Sequence, residues 1–250
     1  MIPRILIDTA AIPGGGSLRL IRRGDEFSIM SGAIELMNSR LSGSEEALAT
    51  LAAERLRHVS QPRILIGGLG MGFTLRAALA AFGPEAALTV VELVPAVIAW
   101  ARGPMAELFA GSLDDARVTL READVGTVIA AEKAAWDAIL LDVDNGPEGL
   151  MRTENDALYA YRGLGLARDA LRPGGVLAVW SSGVDGDFTQ RLKDSGFAVQ
   201  EVATRASVKR RGARHTIWLA TPAAEASVRP QRRKAARPGA ARRPRSGSSS

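Results

Sequence analysis

Residues 63–72 read Arg-Ile-Leu-Ile-Gly-Gly-Leu-Gly-Met-Gly, an apolar strand that runs into a glycine-rich turn. Leu75, Leu79 and Phe82 follow at i, i+4 and i+7, a spacing that predicts a helix over 73–82. Glycines between a strand and a helix N-terminus let the backbone approach a nucleoside closely. The spacing of Gly68, Gly70 and Gly72 departs from the dinucleotide fingerprint, whose third glycine falls where this chain has the bulky Phe73. No Gly-Lys-Ser/Thr follows, which excludes a phosphate-cradling P-loop. S-adenosylmethionine is the common ligand that remains, with Gly68, Gly70 and Gly72 as its expected glycines.

One unit downstream, Leu88-Thr89-Val90-Val91 reads as a buried parallel strand ending in Glu92. Glu92 lies 20 residues after Gly72, a spacing at which a strand-end carboxylate accepts ribose hydroxyls in nucleotide folds. A solvated strand end is the competing reading, and the glycine turn before it favours the ribose. Predicted strands 63–66, 87–92, 117–121, 137–142 and 176–181 alternate with helices 73–82, 95–109, 126–132 and 154–171. The last of these helices is expected to start after Thr153 and to stop at Arg172-Pro173-Gly174-Gly175. After a helix over 185–195, strands 197–202 and 215–220 close the chain as an antiparallel pair. The order is that of an α/β protein: a doubly wound, mostly parallel seven-stranded sheet of the class I methyltransferase-like Rossmann type.

In such sheets ligands sit beyond the carboxyl ends of the strands, so polar residues just after each strand carry the most weight. At Ala123-Asp124-Val125, Asp124 is placed to accept the exocyclic amine of adenine, with Val125 beside it. Asp142-Val143-Asp144-Asn145-Gly146-Pro147 is an acidic turn leaving an apolar strand. Asp142, Asp144 and Asn145 are the catalytic candidates, because a carboxylate at the sulfonium end positions an amine acceptor and takes its proton. For Asp144 and Asn145, ordinary turn chemistry competes with that role. His58 closes a helix beside Arg55 and Arg57, and His215 opens a strand beside Arg214; both read as structural. Two such histidines and no cysteine predict no metal site. Trp100 and Trp136 read as core, and Trp180 ends the fifth strand, where it can line an acceptor pocket.

The 250 residues divide into three expected parts. Short β-like runs at 5–7, 18–21 and 27–30, separated by glycines, predict a small β-rich N-terminal cap over 1–43. Ser44-Glu45-Glu46 then opens a helix that leads into an S-adenosylmethionine-binding α/β domain over 44–221. Residues 222–250 hold eight basic residues and one acid, a net +7 that leaves the rest of the +5 chain at −2. Rich in Pro, Ala, Arg and Ser, this tail is expected to be disordered. Absent cysteines, the lack of an apolar run of eighteen residues and an N-terminus unlike a signal sequence predict a soluble cytoplasmic protein.

Over residues 25–220 these features resemble the spermidine synthase (polyamine aminopropyltransferase) family. Residues 64–72 are similar to its cofactor turn, Glu92 to its ribose acid, Ala123-Asp124 to its Gly-Asp adenine motif, and Asp142 to the first acid of its Asp-x-x-Asp-Pro catalytic loop. Gly32-Ala33-Ile34 before Ser44-Glu45-Glu46 looks like a shortened N-terminal β-domain leading into the family's Tyr-His/Gln-Glu segment. The resemblance implies that Gly70 replaces an aspartate that receives the ammonium of decarboxylated S-adenosylmethionine. It also implies that Asn145 replaces the second catalytic acid and Ser44 an acceptor-contacting tyrosine.

Three readings stay open at this point. The first is methyl transfer from S-adenosylmethionine, placed slightly ahead because of Gly70. The second is aminopropyl transfer from decarboxylated S-adenosylmethionine, and the third is a non-catalytic cofactor- or nucleic-acid-binding protein. The expected partners are a small-molecule acceptor, an amine among the candidates, and a second copy of the chain. Nucleic acid is an open alternative for the basic tail, and no membrane contact is expected.

Overall fold

The structure is a computed structural model and describes residues 2–143, 157–207 and 212–223. Its N-terminal part is an antiparallel sheet of β1 (Ile5–Ala11), β2 (Ser17–Arg23), β3 (Glu26–Ser31) and β4 (Ile34–Asn38), in that spatial order. Strand alternation sets its faces, so that Leu18, Leu20, Phe27 and Ile29 point inward and are buried. The fourth strand goes beyond the three runs expected. Its Leu36-Met37 pair breaks the two-residue period, and a register shift between Ile29 and Met30 of β3 accommodates it.

Helix α1 (Gly43–Arg55) leads into the second sheet, which is wound through β5 (Arg63–Gly67), α2 (Phe73–Ala81), β6 (Ala87–Glu92), α3 (Pro95–Arg102), α4 (Ala106–Phe109) and β7 (Val118–Glu122). It continues with α5 (Val125–Ala131), β8 (Trp136–Leu141), α6 (Tyr161–Ala170), β9 (Leu171–Ser181), α7 (Gly186–Asp194), β10 (Phe197–Arg205) and β11 (Arg214–Pro222). The seven strands lie in the order β10-β11-β9-β8-β5-β6-β7. From β7 to β9 they are parallel, and β11 and β10 return antiparallel, as the sequence predicts. From β5 the chain winds outward through β6 and β7, then crosses back to lay β8 on the other side of β5. That reversal opens a crevice at the carboxyl ends of the central strands.

Every residue of β8 is buried, as a central parallel strand covered on both faces requires. Alternate residues feed two apolar clusters. One joins Ile64 and Ile66 to α1, α2 and α3, and it takes in Leu18, Leu20, Phe27 and Ile29 of the small sheet. The other joins Leu65, Ile139 and Leu141 to α5, α6 and α7. The small sheet is thus part of the same core as one face of the large one. A 2.7 Å hydrogen bond from Trp100 Nε1 to Asp8 Oδ2 adds a polar tie between β1 and α3.

Three boundaries differ from expectation, each for a local reason. The single helix predicted over 95–109 is two, since Gly103-Pro104 separates α3 from α4, and proline removes the N–H a continuing helix needs. The helix predicted over 154–171 is divided at Ala160: residues 157–159 are helical and α6 starts at Tyr161. A Cβ at Gly163 would run into the carbonyl oxygens of Ala157 and Leu158, so that sharp bend depends on glycine. Arg172-Pro173-Gly174-Gly175 ends α6 by lying inside β9, where a register shift between Trp136 and Ala138 of β8 absorbs it. Thr153, Lys209 to Arg211 and the tail from 224 onward lie outside the described residues. No described helix is long and apolar enough to cross a membrane.

Gly72 has φ +74° at the start of α2, and a Cβ there would run into the Phe109 ring. Gly72→Ala should therefore lower unfolding stability by more than about 1–2 kcal/mol, the left-handed strain alone. Gly83→Ala, which meets nothing within 4 Å, should stay within about 0.5 kcal/mol of wild type in the same denaturant titration.

Candidate active site

Backbone bonds hold the central strand ends together. Gly68 N–H donates to Val91 O at 2.9 Å, Asp142 N–H to Gly67 O at 3.0 Å and Ala123 N–H to Glu92 O at 3.0 Å. Gly68 has φ +87°, and a Cβ on it would lie 2.5 Å from the Asp142 carbonyl oxygen. At Gly70 a Cβ would meet Met37 Sδ at 3.1 Å. The turn is thus glycine-rich because the backbone of β8 presses on one side of it and the small sheet on the other.

Gly68, Gly70, Glu92, Asp124, Val125 and Asp142 line one cavity of about 180 Å³, which Val143 borders as well. Its opposite wall is the small sheet, through Ile12, Gly15, Leu18, Ile29, Leu36 and Met37. Sequence reasoning missed that wall, since nothing in those strands signals a ligand. Gly72 is not among the lining residues; it is the left-handed N-cap of α2 and stands against Phe109. Asp144 and Asn145 lie outside the described residues.

Glu92 is only 8% exposed. Its Oε2 accepts the Leu69 N–H and its Oε1 the Val94 N–H, both at 2.9 Å. Burial raises its pKa above the ordinary carboxylate value, while backbone N–H groups of Val94, Leu69, Gly70 and Leu93 pull it down. These backbone donors hold the carboxylate at the cavity, and an ionised carboxylate can only accept, as it would from the hydroxyls of a ligand. Asp124 lines the same cavity while its Oδ1 caps α5 through the Thr127 N–H at 2.8 Å.

Asp142, at the end of β8, accepts a 2.7 Å hydrogen bond from Thr74 Oγ1 on the first turn of α2. Desolvation pushes its pKa up to about 6, against the lowering effect of Thr74. Behind it lies Glu45 on α1, pushed up to about 7 by burial first and by the Asp142 charge second. Ser44 Oγ donates to Glu45 Oε2 at 2.6 Å and lies 2.8 Å from His215 Nδ1 on β11. The His215 ring meets Trp180 edge to face, with centroids 4.9 Å apart. Glu45, Thr74 and His215 were not site candidates from the sequence. Thr74 sits one residue past the strand-turn-helix junction, a signal that was available; His215 joins the others only through the closing hairpin.

No family model matches the chain. Over 159 residues, 62% of the chain, it is 31% identical to polyamine aminopropyltransferase 2 of Pseudomonas aeruginosa, 43% of which is covered. Over 120 residues it is 34% identical to polyamine aminopropyltransferase 1 of Streptomyces coelicolor, covering 47% of this chain and 22% of that one. The chain spans less than half the length of these curated relatives. Among solved structures, a spermidine synthase in complex with the transition state analogue AdoDATO superposes with a TM-score of 0.68, covering 87% of this chain and 72% of that one at 17% identity. The spermidine synthase of Thermotoga maritima gives 0.66 over the same shares, also at 17% identity. The superpositions show the fold: that of the spermidine synthases, of the class I S-adenosylmethionine type.

The raised pKa values of Glu45 and Asp142 mean that the folded state holds protons more tightly than the unfolded chain. Their contribution to stability is full below about pH 4 and is lost as pH rises through about 6 to 7. Melting of wild type against Glu45→Gln, scanned from pH 5 to 8, should show the variant gaining relative stability as pH rises. Parallel curves would mean that the pair is not desolvated.

Proposed function

We propose that this spermidine-synthase-like protein is a transferase that moves the aminopropyl group of decarboxylated S-adenosylmethionine to an amine acceptor. The observation that carries this reading is the charge of the cavity. Its described lining includes three carboxylates, Glu92, Asp124 and Asp142, and no Lys, Arg or His. Decarboxylated S-adenosylmethionine presents two cations, a sulfonium and an ammonium, to those acids. Intact S-adenosylmethionine adds a carboxylate, which would be desolvated among like charges with no cation to meet it. The names of the relatives weigh the same way, toward the aminopropyl reading and away from the methyl transfer placed first from the sequence.

In the proposed reaction the acceptor nitrogen's lone pair attacks the aminopropyl carbon bonded to sulfur. The C–S bond breaks, its electron pair stays on sulfur to leave a neutral thioether, and the acceptor's N–H proton passes to a carboxylate. Alignment of nucleophile and leaving group supplies most of the rate in such a displacement. Glu92 would hold the ribose, with Asp124 and Val125 at the adenine. Asp142 would position the amine and take its proton, and with a pKa near 6 it is ionised at neutral pH yet basic enough to hold a proton briefly. Asp144 and Asn145 remain the further catalytic candidates.

A second reading, methyl transfer from intact S-adenosylmethionine, rests on Gly70. Met37 Sδ stands 3.1 Å from where a Cβ would begin, so a thioether occupies the space in which the resemblance implies a carboxylate.

Calorimetry with the two donors separates the readings: the decarboxylated donor should bind more tightly, and incubation with a diamine should yield the aminopropylated product. Tighter binding of the intact donor, with a methylated amine as product, would reverse the assignment. Asp142→Asn should lower turnover at least about tenfold while leaving donor affinity near wild type. Glu92→Gln should weaken donor binding by about 1–3 kcal/mol, the scale for charged hydrogen bonds.

A further inference from the structure

His215 is a half-buried titratable group that the proposed chemistry leaves unused. It comes from the closing hairpin, about half the sheet away from the glycine turn in strand order, yet its Nδ1 lies 2.8 Å from Ser44 Oγ. Ser44 is fully buried and donates its own proton to Glu45 Oε2. While Glu45 is ionised that proton is committed, so the Ser44 oxygen accepts and His215 carries hydrogen on Nδ1 and donates it. The result is a one-way chain of donors, His215 to Ser44 to Glu45, ending on a carboxylate whose neighbour is Asp142.

We infer that His215 is a positioning residue that acts through Ser44 to hold Glu45 in its ionised form, and thereby fixes the pH at which the Glu45–Asp142 pair can take a proton from the acceptor amine. This rests on the transfer chemistry proposed above for its purpose, but not for its test. Burial pushes the His215 pKa down, so at working pH the ring is neutral and acts by its N–H rather than by charge. Trp180, edge-on to the ring, fixes its plane. The charged groups facing Glu45 are Asp142 from the end of β8 and Glu46 on its own helix, both of which oppose its ionisation. From α2 comes the Thr74 hydroxyl, which bonds Asp142. Among the described residues no Lys or Arg forms an ion pair with either acid. The Ser44 hydroxyl is therefore the favourable side-chain contact of Glu45, and His215 aims it.

The test measures the pair's titration in donor-free protein, from the pH dependence of thermal stability of each variant relative to its counterpart carrying Glu45→Gln. His215→Leu and Ser44→Ala should each move the upper transition up by about one pH unit, and the double variant should move it no further than either alone. His215→Asn places an amide N–H where Nδ1–H was and cannot titrate; it should keep the wild-type transition, which separates the hydrogen bond from any titration of His215 itself. An unmoved transition in both His215→Leu and Ser44→Ala overturns the inference, as does a shift that persists when Glu45 is already Gln. Should His215→Leu fail to fold, Ser44→Ala and His215→Asn carry the comparison. With transfer activity in hand, the acid limb of the rate should move with the stability transition. Absence of transfer from either donor would refute the proposed reaction while leaving the stability result to decide on His215.

Discussion

The site depends on the ends of β5 and β8 coming so close that no side chain fits between them. Gly68 gives up its Cβ to the Asp142 carbonyl, and the Asp142 N–H closes on Gly67. That contact fixes the Asp142 backbone in space, turns its carboxyl toward the first turn of α2, and leaves the adjoining N–H groups of the glycine turn for Glu92. A methyl group at position 68 would part the strands and separate the two acids whose relation to one cavity makes it a site at all. The positive φ that glycine supplies there is thus tied to close approach rather than to flexibility.

Once that approach is made, electrostatics follows from topology. A switch point between parallel strands gathers strand-end residues, and in this chain three of those are acids. Acids in one desolvated space raise one another's pKa unless N–H donors, hydroxyls or a cation answer them. Glu92 is answered by backbone N–H groups and Asp142 by Thr74, while Glu45 is answered by a serine that a distant histidine holds. None of these answers is a full positive charge, so the cavity retains an appetite for a cationic ligand.

Much of this was legible in the sequence, because the large sheet is written in local signals: apolar runs of strand length, helical spacing after a glycine turn, and acids at strand ends. Glu92 and Asp142 could be picked out since topology puts strand ends at the ligand, whatever the tertiary details. Spacing alone does not tell glycines that line the cavity, Gly68 and Gly70, from Gly72, which stands against Phe109. The small sheet's share of the cavity was illegible for another reason: Leu18, Ile29 and Met37 look like any inward-facing strand residues, and only the docking of one sheet on the other makes them a wall. His215 and Ser44 are 171 residues apart, and no periodicity links them.

The shared core of the two sheets also makes ligand binding and folding a single thermodynamic cycle. Leu18 and Ile29 belong both to the apolar cluster beneath the large sheet and to the cavity wall. A ligand that fills the cavity is therefore counted among the contacts that keep the N-terminal strands docked, and its free energy of binding appears as resistance of those strands to local opening. By reciprocity, any change that loosens the strands, however far from the carboxylates, is felt as a weaker affinity for a ligand of that cavity. A hydrophobic substitution in this cap therefore acts on the docking of the strands and on the affinity of the cavity at once.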